Sequence, residues 1–176
     1  MYLQPLAALI EQQGGQLYPE RHSLFLMIDV KTNASTLHEF LKKHLAPYRR
    51  FLLTYDHQSY CENAITIFLS GERPLKTLPY EDELFLFLDG RSSDIGKSFD
   101  HRLMPVVSKR YSEMFGFLFW NVVPSEASWR RFRRYTEEVH KEGKLVRMWA
   151  SPEDEFIWQK LLENGADIIN TDEPKK

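Results

Sequence analysis

The chain has 176 residues, of which 43% are hydrophobic and 14% aromatic, enough to fill one core of ordinary size. A formal net charge of −2 gives no basis for binding nucleic acid or a membrane surface. No apolar run approaches the roughly 18 residues of a transmembrane helix, and the single cysteine, Cys61, excludes an internal disulfide.

Residues 2–13 place Leu3, Leu6, Leu9 and Ile10 at helical spacing, and Gly14-Gly15 stops the run. No basic leader precedes them, so a secretory signal is not expected. "LFLMIDV" (24–30) is apolar at nearly every position, the pattern of a parallel strand covered on both faces. Asn33 is a candidate cap for a helix bearing Leu37, Phe40, Leu41 and Leu45, which Pro47 ends. "FLLTY" (51–55) and "AITIFL" (64–69) read as strands, and the polar link between them suits a hairpin. "ELFLFL" (83–88) is a second doubly apolar run, and "MPVV" (104–107) a shorter one.

"FGFLFW" (115–120) is apolar enough for core or for a covering loop, with core favoured. Ser125 predicts the start of a helix with Trp129, Phe132, Tyr135 and Val139 on one face, and Gly143 sits where its chain must turn away. The arginines of "WRRFRRY" (129–135) then face water rather than nucleic acid. "KLVRMWA" (144–150) is a strand. Ser151-Pro152-Glu153-Asp154 predicts the next helix start with Ser151 as cap, Ile157, Leu161 and Leu162 as the buried stripe, and Gly165 as the stop. "ADIIN" (166–170) is the last strand, followed by a Lys-rich end expected to fray.

Strands and helices alternate along the whole chain, which predicts one α/β domain over residues 1–176 with a parallel sheet. Right-handed crossovers put every strand's C-terminal end on the same side. Those ends turn polar together: Asp29 and Lys31, Ser70, Asp89 and Arg91, Trp149 and Ser151, Thr171 and Asp172. In parallel α/β sheets and barrels this rim is where ligands bind. Asp29 is the most informative of them, because Val30 continues the strand beyond it. Strand periodicity sets Met27, Asp29 and Lys31 on one face. A carboxylate beside an ammonium suits a divalent cation next to an anionic substrate, and it equally suits a plain buried ion pair.

"LMIDVK" resembles the "IEIK" strand of the glycerophosphodiester phosphodiesterase family, within the phosphatidylinositol phospholipase C-like superfamily. "VHKEGKLVRMWASPED…LLENGADIINTDEP" resembles that family's last two strands, with a strand ending in Trp and a closing Thr-Asp-x-Pro. "AITIFLSGERP" and "FLDGRSSDIG" resemble its altered-inheritance-of-mitochondria-protein-6-like subgroup. The likeness spans nearly the whole chain, and its most specific part is the closing segment.

The resemblance implies a TIM (β/α)8 barrel that hydrolyses phosphodiesters with Mg or Ca and a pair of histidines. Asp29 would then be a metal ligand, with Asp for the family's Glu shortening the reach by one methylene. Lys31 would be a catalytic residue that steadies the phosphate. Trp149 and Arg91 would bind substrate, a small phosphodiester or phospholipid head group, and Asp172 would anchor the closing segment. The family's histidine motifs and its Glu-x-Asp metal pair belong to its first three strands. None of the six histidines here (His22, His38, His44, His57, His101, His140) stands in such a motif.

The expectation is therefore an incomplete TIM barrel, parallel strands four to eight, with little turnover on its own. Any address signal is expected upstream. A barrel of this kind takes about 250 residues, and open sheet edges would invite self-association. A non-catalytic α/β binding module is the alternative with the same fold.

Overall fold

Doubly apolar runs joined by helices pair in parallel, because a crossover returns the chain to the same end of the sheet. The computed structural model describes residues 2–20, 22–116 and 123–173, so residues 117–120 of "FGFLFW" and residues 174–176 of the tail lie outside it. The chain forms two units, Met1–Asp89 and Gly90–Lys176.

In the first unit, α1 (Leu3–Gln12) precedes β1 (Leu24–Val30) and α2 (Ala34–Leu45). A 3₁₀ segment, Ala46–Phe51, leads to a small antiparallel hairpin of β2 (Thr54–Tyr55) and β3 (Tyr60–Cys61). Then come β4 (Ile65–Gly71) and β5 (Phe87–Gly90). β1 and β4 run parallel in a register from Leu24 opposite Ile65 to Val30 opposite Gly71. β5 continues the parallel sheet, with Phe68 opposite Phe87 and Leu69 opposite Leu88.

The hairpin is therefore not the expected one. Residues 51–53 do not fold back on "AITIFL". Leu52 makes a parallel bridge to Ile65, and the Leu53 amide donates to the Ile65 carbonyl at 2.8 Å. Only Thr54 and Tyr55 turn back, onto Cys61 and Tyr60.

Two further expectations change in this unit. Asn33 does precede α2, but its backbone is left-handed (φ 55°) and its side chain caps nothing. The helix buries Ala34, His38 and Leu45, whereas Phe40 is 54% exposed and stacks on His44 one turn on. β1 is also less covered than its composition suggests: most of its residues are half-buried and Phe25 and Asp29 are exposed. Leu26, Met27, Ile28 and Asp29 line a cavity of about 700 Å³ with Leu3, Leu41 and Leu45. Phe25 meets Phe68 edge-on at 6.0 Å.

The second unit holds β6 (Val106–Arg110), α3 (Tyr111–Phe115), α4 (Glu126–Lys141), β7 (Leu145–Trp149), α5 (Glu155–Glu163) and β8 (Ile168–Ile169). β6 and β7 pair in parallel from Val106 opposite Leu145 to Arg110 opposite Trp149, and β8 follows on β7. The core of the unit joins Val107, Val146 and Met148 from the strands to Phe115, Trp129, Phe132, Val139, Ile157 and Leu161 from the helices. Ser125 Oγ accepts from the Ser128 amide at 3.2 Å and caps α4 as its position predicts.

α5 starts later than expected. Its cap is Asp154, whose Oδ1 accepts from the Ile157 amide at 2.9 Å, and Ser151 Oγ is buried without a hydrogen-bond partner. The reason lies in Glu153. Its carboxylate accepts from Thr171 Oγ1 at 2.6 Å and from the Asp172 amide at 2.9 Å, which holds residues 151–153 out of the helix. The closing Thr-Asp is thus an anchor through the Thr171 hydroxyl and the Asp172 backbone. Leu162, expected in the buried stripe, is exposed.

Within each unit the parallel strands lie side by side in chain order and are joined by helical or mixed crossovers. This is the α/β architecture of an incomplete TIM barrel.

Candidate active site

The polar residues at the strand ends of the first unit form one row. Asp29 on β1 lies opposite Ser70 on β4. The β4–β5 register, Phe68 opposite Phe87, sets Ser70 and Asp89 on the same face two residues further on. Ser70 Oγ donates to Asp89 Oδ2 at 2.6 Å, and the Asp89 carboxylate is fully buried. Arg73, from the loop after β4, donates to the Asp89 carbonyl at 2.8 Å. The Ser70 hydroxyl offsets part of the hydration that the buried carboxylate loses.

Asp29 stands at the open end of the row. Lys31 Nζ lies 2.5 Å from Asp29 Oδ2, and the two side chains are 81% and 45% exposed. The alternating face predicted from Asp-Val-Lys is real, but the pair is exposed rather than buried. An exposed pair contributes under about 1 kcal/mol, so the fold does not depend on it. Its other oxygen, Oδ1, sits against Gly71: a β-carbon there would collide with Asp29 Oδ1 and with the Val30 carbonyl. Gly71 also has φ 72°, a left-handed backbone that favours glycine. The glycine thus leaves the room that the carboxylate occupies.

Asp29 fits one carboxylate's share of a hard divalent cation's shell: it is open enough for waters and a substrate oxygen to complete it. Mg is typically held in this way, by one or two carboxylates plus water and phosphate. Asp29 is the residue that would hold it.

The other expected site residues, Arg91 and Trp149, belong to the second unit. The Arg91 amide donates to Asp94 Oδ2 at 2.8 Å and its Nη1 to the Gly90 carbonyl at 3.2 Å, which ties it into the turn after β5. Trp149 ends β7 on the face turned away from the helices, since its neighbour Met148 is in the helix-packed core. The Arg110 guanidinium lies over its ring, 5.3 Å from the centroid. One strand step earlier, Arg147 donates to Ser108 Oγ at 3.1 Å and to Asn170 Oδ1 at 2.5 Å. Ser70 and Asp89 are visible in the sequence as strand ends without a role, whereas Arg110 carries no signal there.

Among the described residues, His38, Glu39 and Glu81 form a group whose ligating atoms lie within 4.8 Å of one another. His38 is buried, and burial pushes its imidazole below the usual range against the pull of Glu81. Lys42 Nζ already sits 2.7 Å from Glu81 Oε1 and supplies the cation there. The cluster therefore reads as an α2 anchor, distinct from the strand ends.

Residues 1–89, which include the whole Asp29–Ser70–Asp89 row, match the model of the AIM6-like phosphodiesterase domain. The chain belongs to this family. No curated protein matches the chain. Among solved structures, it is similar to an EAL domain protein from Listeria monocytogenes EGD-e, with 17% identity and a TM-score of 0.46. The likeness covers 94% of this chain and 62% of that one, so the chain spans less than two thirds of that protein. The AIM6-like domain thus contributes a phosphodiesterase relationship to the half of the chain that carries the carboxylate row. No helix among the described residues is long and apolar enough to cross a membrane.

Proposed function

We propose that this AIM6-like domain is the C-terminal part of a metal-dependent phosphoric diester hydrolase that acts on glycerophosphodiesters or phospholipid head groups. The observation that supports it most is the row of Asp29, Ser70 and Asp89 across the C-terminal ends of three parallel strands. Asp29 would hold Mg or Ca. When bound, such an ion supplies positive charge to the phosphoryl oxygens. Lys31 is the catalytic residue of the chain: its ammonium is free to swing from Asp29 Oδ2 to a phosphate oxygen on which charge develops. Asp89 and Ser70 do not meet the substrate. They hold the β4–β5 end rigid beside Asp29, which keeps the reacting groups oriented. In the second unit, taken by itself, Arg91 and Trp149 are the residues proposed to bind substrate.

None of the six histidines stands in the family's acid–base motif, and slow turnover is expected of these 176 residues alone. His38, His57, His101 and His140 engage Glu81, the Glu81 carbonyl, Asp100 and Asp167 respectively. Binding is therefore the first readout. Calorimetric titration of the chain with Mg and Ca is expected to show a site that Asp29→Asn removes. A non-catalytic binding module is the second reading, favoured by the Lys31 ammonium already neutralising Asp29. Under it, neither ion binds and Lys31→Ala does not alter the titration.

A further inference from the structure

We infer that Arg110 is the residue that grips the anionic group of the ligand in the second unit, held in place for that contact by Trp149. The inference rests on the proposed phosphodiester substrate and adds a residue that no motif points to.

Register brings the two together. Arg110 and Trp149 are the paired last residues of β6 and β7. Both lie on the face opposite Val107, Val146 and Met148, which pack against the helices. The guanidinium carbon is 5.3 Å from the indole centroid, within reach of a cation–π contact. A contact through the guanidinium carbon leaves its N–H donors uncommitted to any carboxylate among the described residues. Such a fork of donors matches two phosphate oxygens at once, and a lysine's ammonium does not.

Comparison with the other arginines sharpens the point. Arg49, Arg50, Arg102 and Arg133 pair with Glu83, Glu11, Asp100 and Glu126. Arg110 has no carboxylate partner among the described residues, and its neighbour Lys109 takes the nearby Glu113 at 3.0 Å. The aromatic floor is itself fixed. Ala150, directly after Trp149, has φ 51°, a left-handed backbone uncommon for alanine. One step below, Arg147 is buried and clasped by Ser108 and Asn170. An exposed guanidinium, oriented on an indole and without an acid, is built to receive an anion.

The test uses the complete chain and two probes, inorganic phosphate and sn-glycerol 3-phosphate, with affinities read by calorimetry in metal-free buffer. Wild type is expected to bind both. Arg110→Gln should weaken binding about tenfold or more, the worth of a charged hydrogen bond. Arg110→Lys should recover part of the loss, and Trp149→Ala should fall between the two with an unchanged melting temperature. Arg49→Gln, which removes a guanidinium already paired with Glu83, should bind the anions as wild type does. Failure of Mg or Ca to bind wild type would sink the metal reading and leave Arg110 standing. Unchanged anion affinity in Arg110→Gln, or no saturable binding by wild type, would overturn the inference.

Discussion

The Asp29 carboxylate occupies the space where a side chain on Gly71 would begin. A β-carbon built on Gly71 collides with Asp29 Oδ1 and the Val30 carbonyl, and the backbone there is left-handed. Gly71→Ala should therefore both strain the backbone and push Asp29 off the strand end. We expect a loss of about 1–3 kcal/mol in denaturant unfolding and a larger relative loss of divalent-ion affinity. A stability loss with unchanged metal affinity would separate Gly71 from the site.

Asp89 offers a second check on the row. Its carboxylate is fully buried and accepts from Ser70 Oγ at 2.6 Å. Asp89→Ala leaves the Ser70 hydroxyl without this acceptor and should cost about 1–3 kcal/mol. Ser70→Ala takes a donor from the buried carboxylate and should cost a comparable amount. Equal, negligible costs for both would mean that water reaches this pair.

The start of α5 separates two residues that look alike in sequence. Asp154 caps the helix, while Ser151 Oγ is buried with no partner. Asp154→Ala should cost about 1 kcal/mol, the usual worth of a cap. Ser151→Ala should be neutral or slightly stabilising, because it removes a buried hydroxyl that bonds nothing. Thermal melts of the two variants decide between Asp154 and Ser151 as the cap.

His38 makes stability depend on pH in a stated direction. Burial lowers its pKa in the folded chain from the ordinary 6.5, with Glu81 and Glu39 opposing and Lys42 adding to the effect. Below 6.5 the unfolded chain takes up a proton that the folded chain resists. Stability should then fall as pH drops through and below that value. His38→Leu should flatten the decline measured between about pH 7 and 5. A wild-type slope that survives the substitution would assign the effect elsewhere.

Much of this architecture follows from local pattern. The runs at 24–30, 64–69 and 144–150 are strands because a parallel sheet requires apolar residues on successive positions. Asp29 and Lys31 are readable because strand period alone brings i and i+2 to one face. Where local pattern fails, a distant partner decides. Glu153 belongs to Thr171 and Asp172, so Ser151 cannot be the cap. Leu52 belongs to Ile65 in parallel, so "FLLTY" does not form the antiparallel arm it resembles. His38 turns inward toward Glu81, which Lys42 also holds, leaving Phe40 outside. Arg110 and Trp149 meet only through strand register, which no short-range spacing contains.

The most direct test of the proposal is calorimetric titration of the 176-residue chain with Mg and Ca, wild type against Asp29→Asn, at neutral pH. The account predicts saturable binding of at least one ion by wild type and its loss in the variant, with unchanged melting temperatures in metal-free buffer. Identical titrations for the two proteins would contradict it.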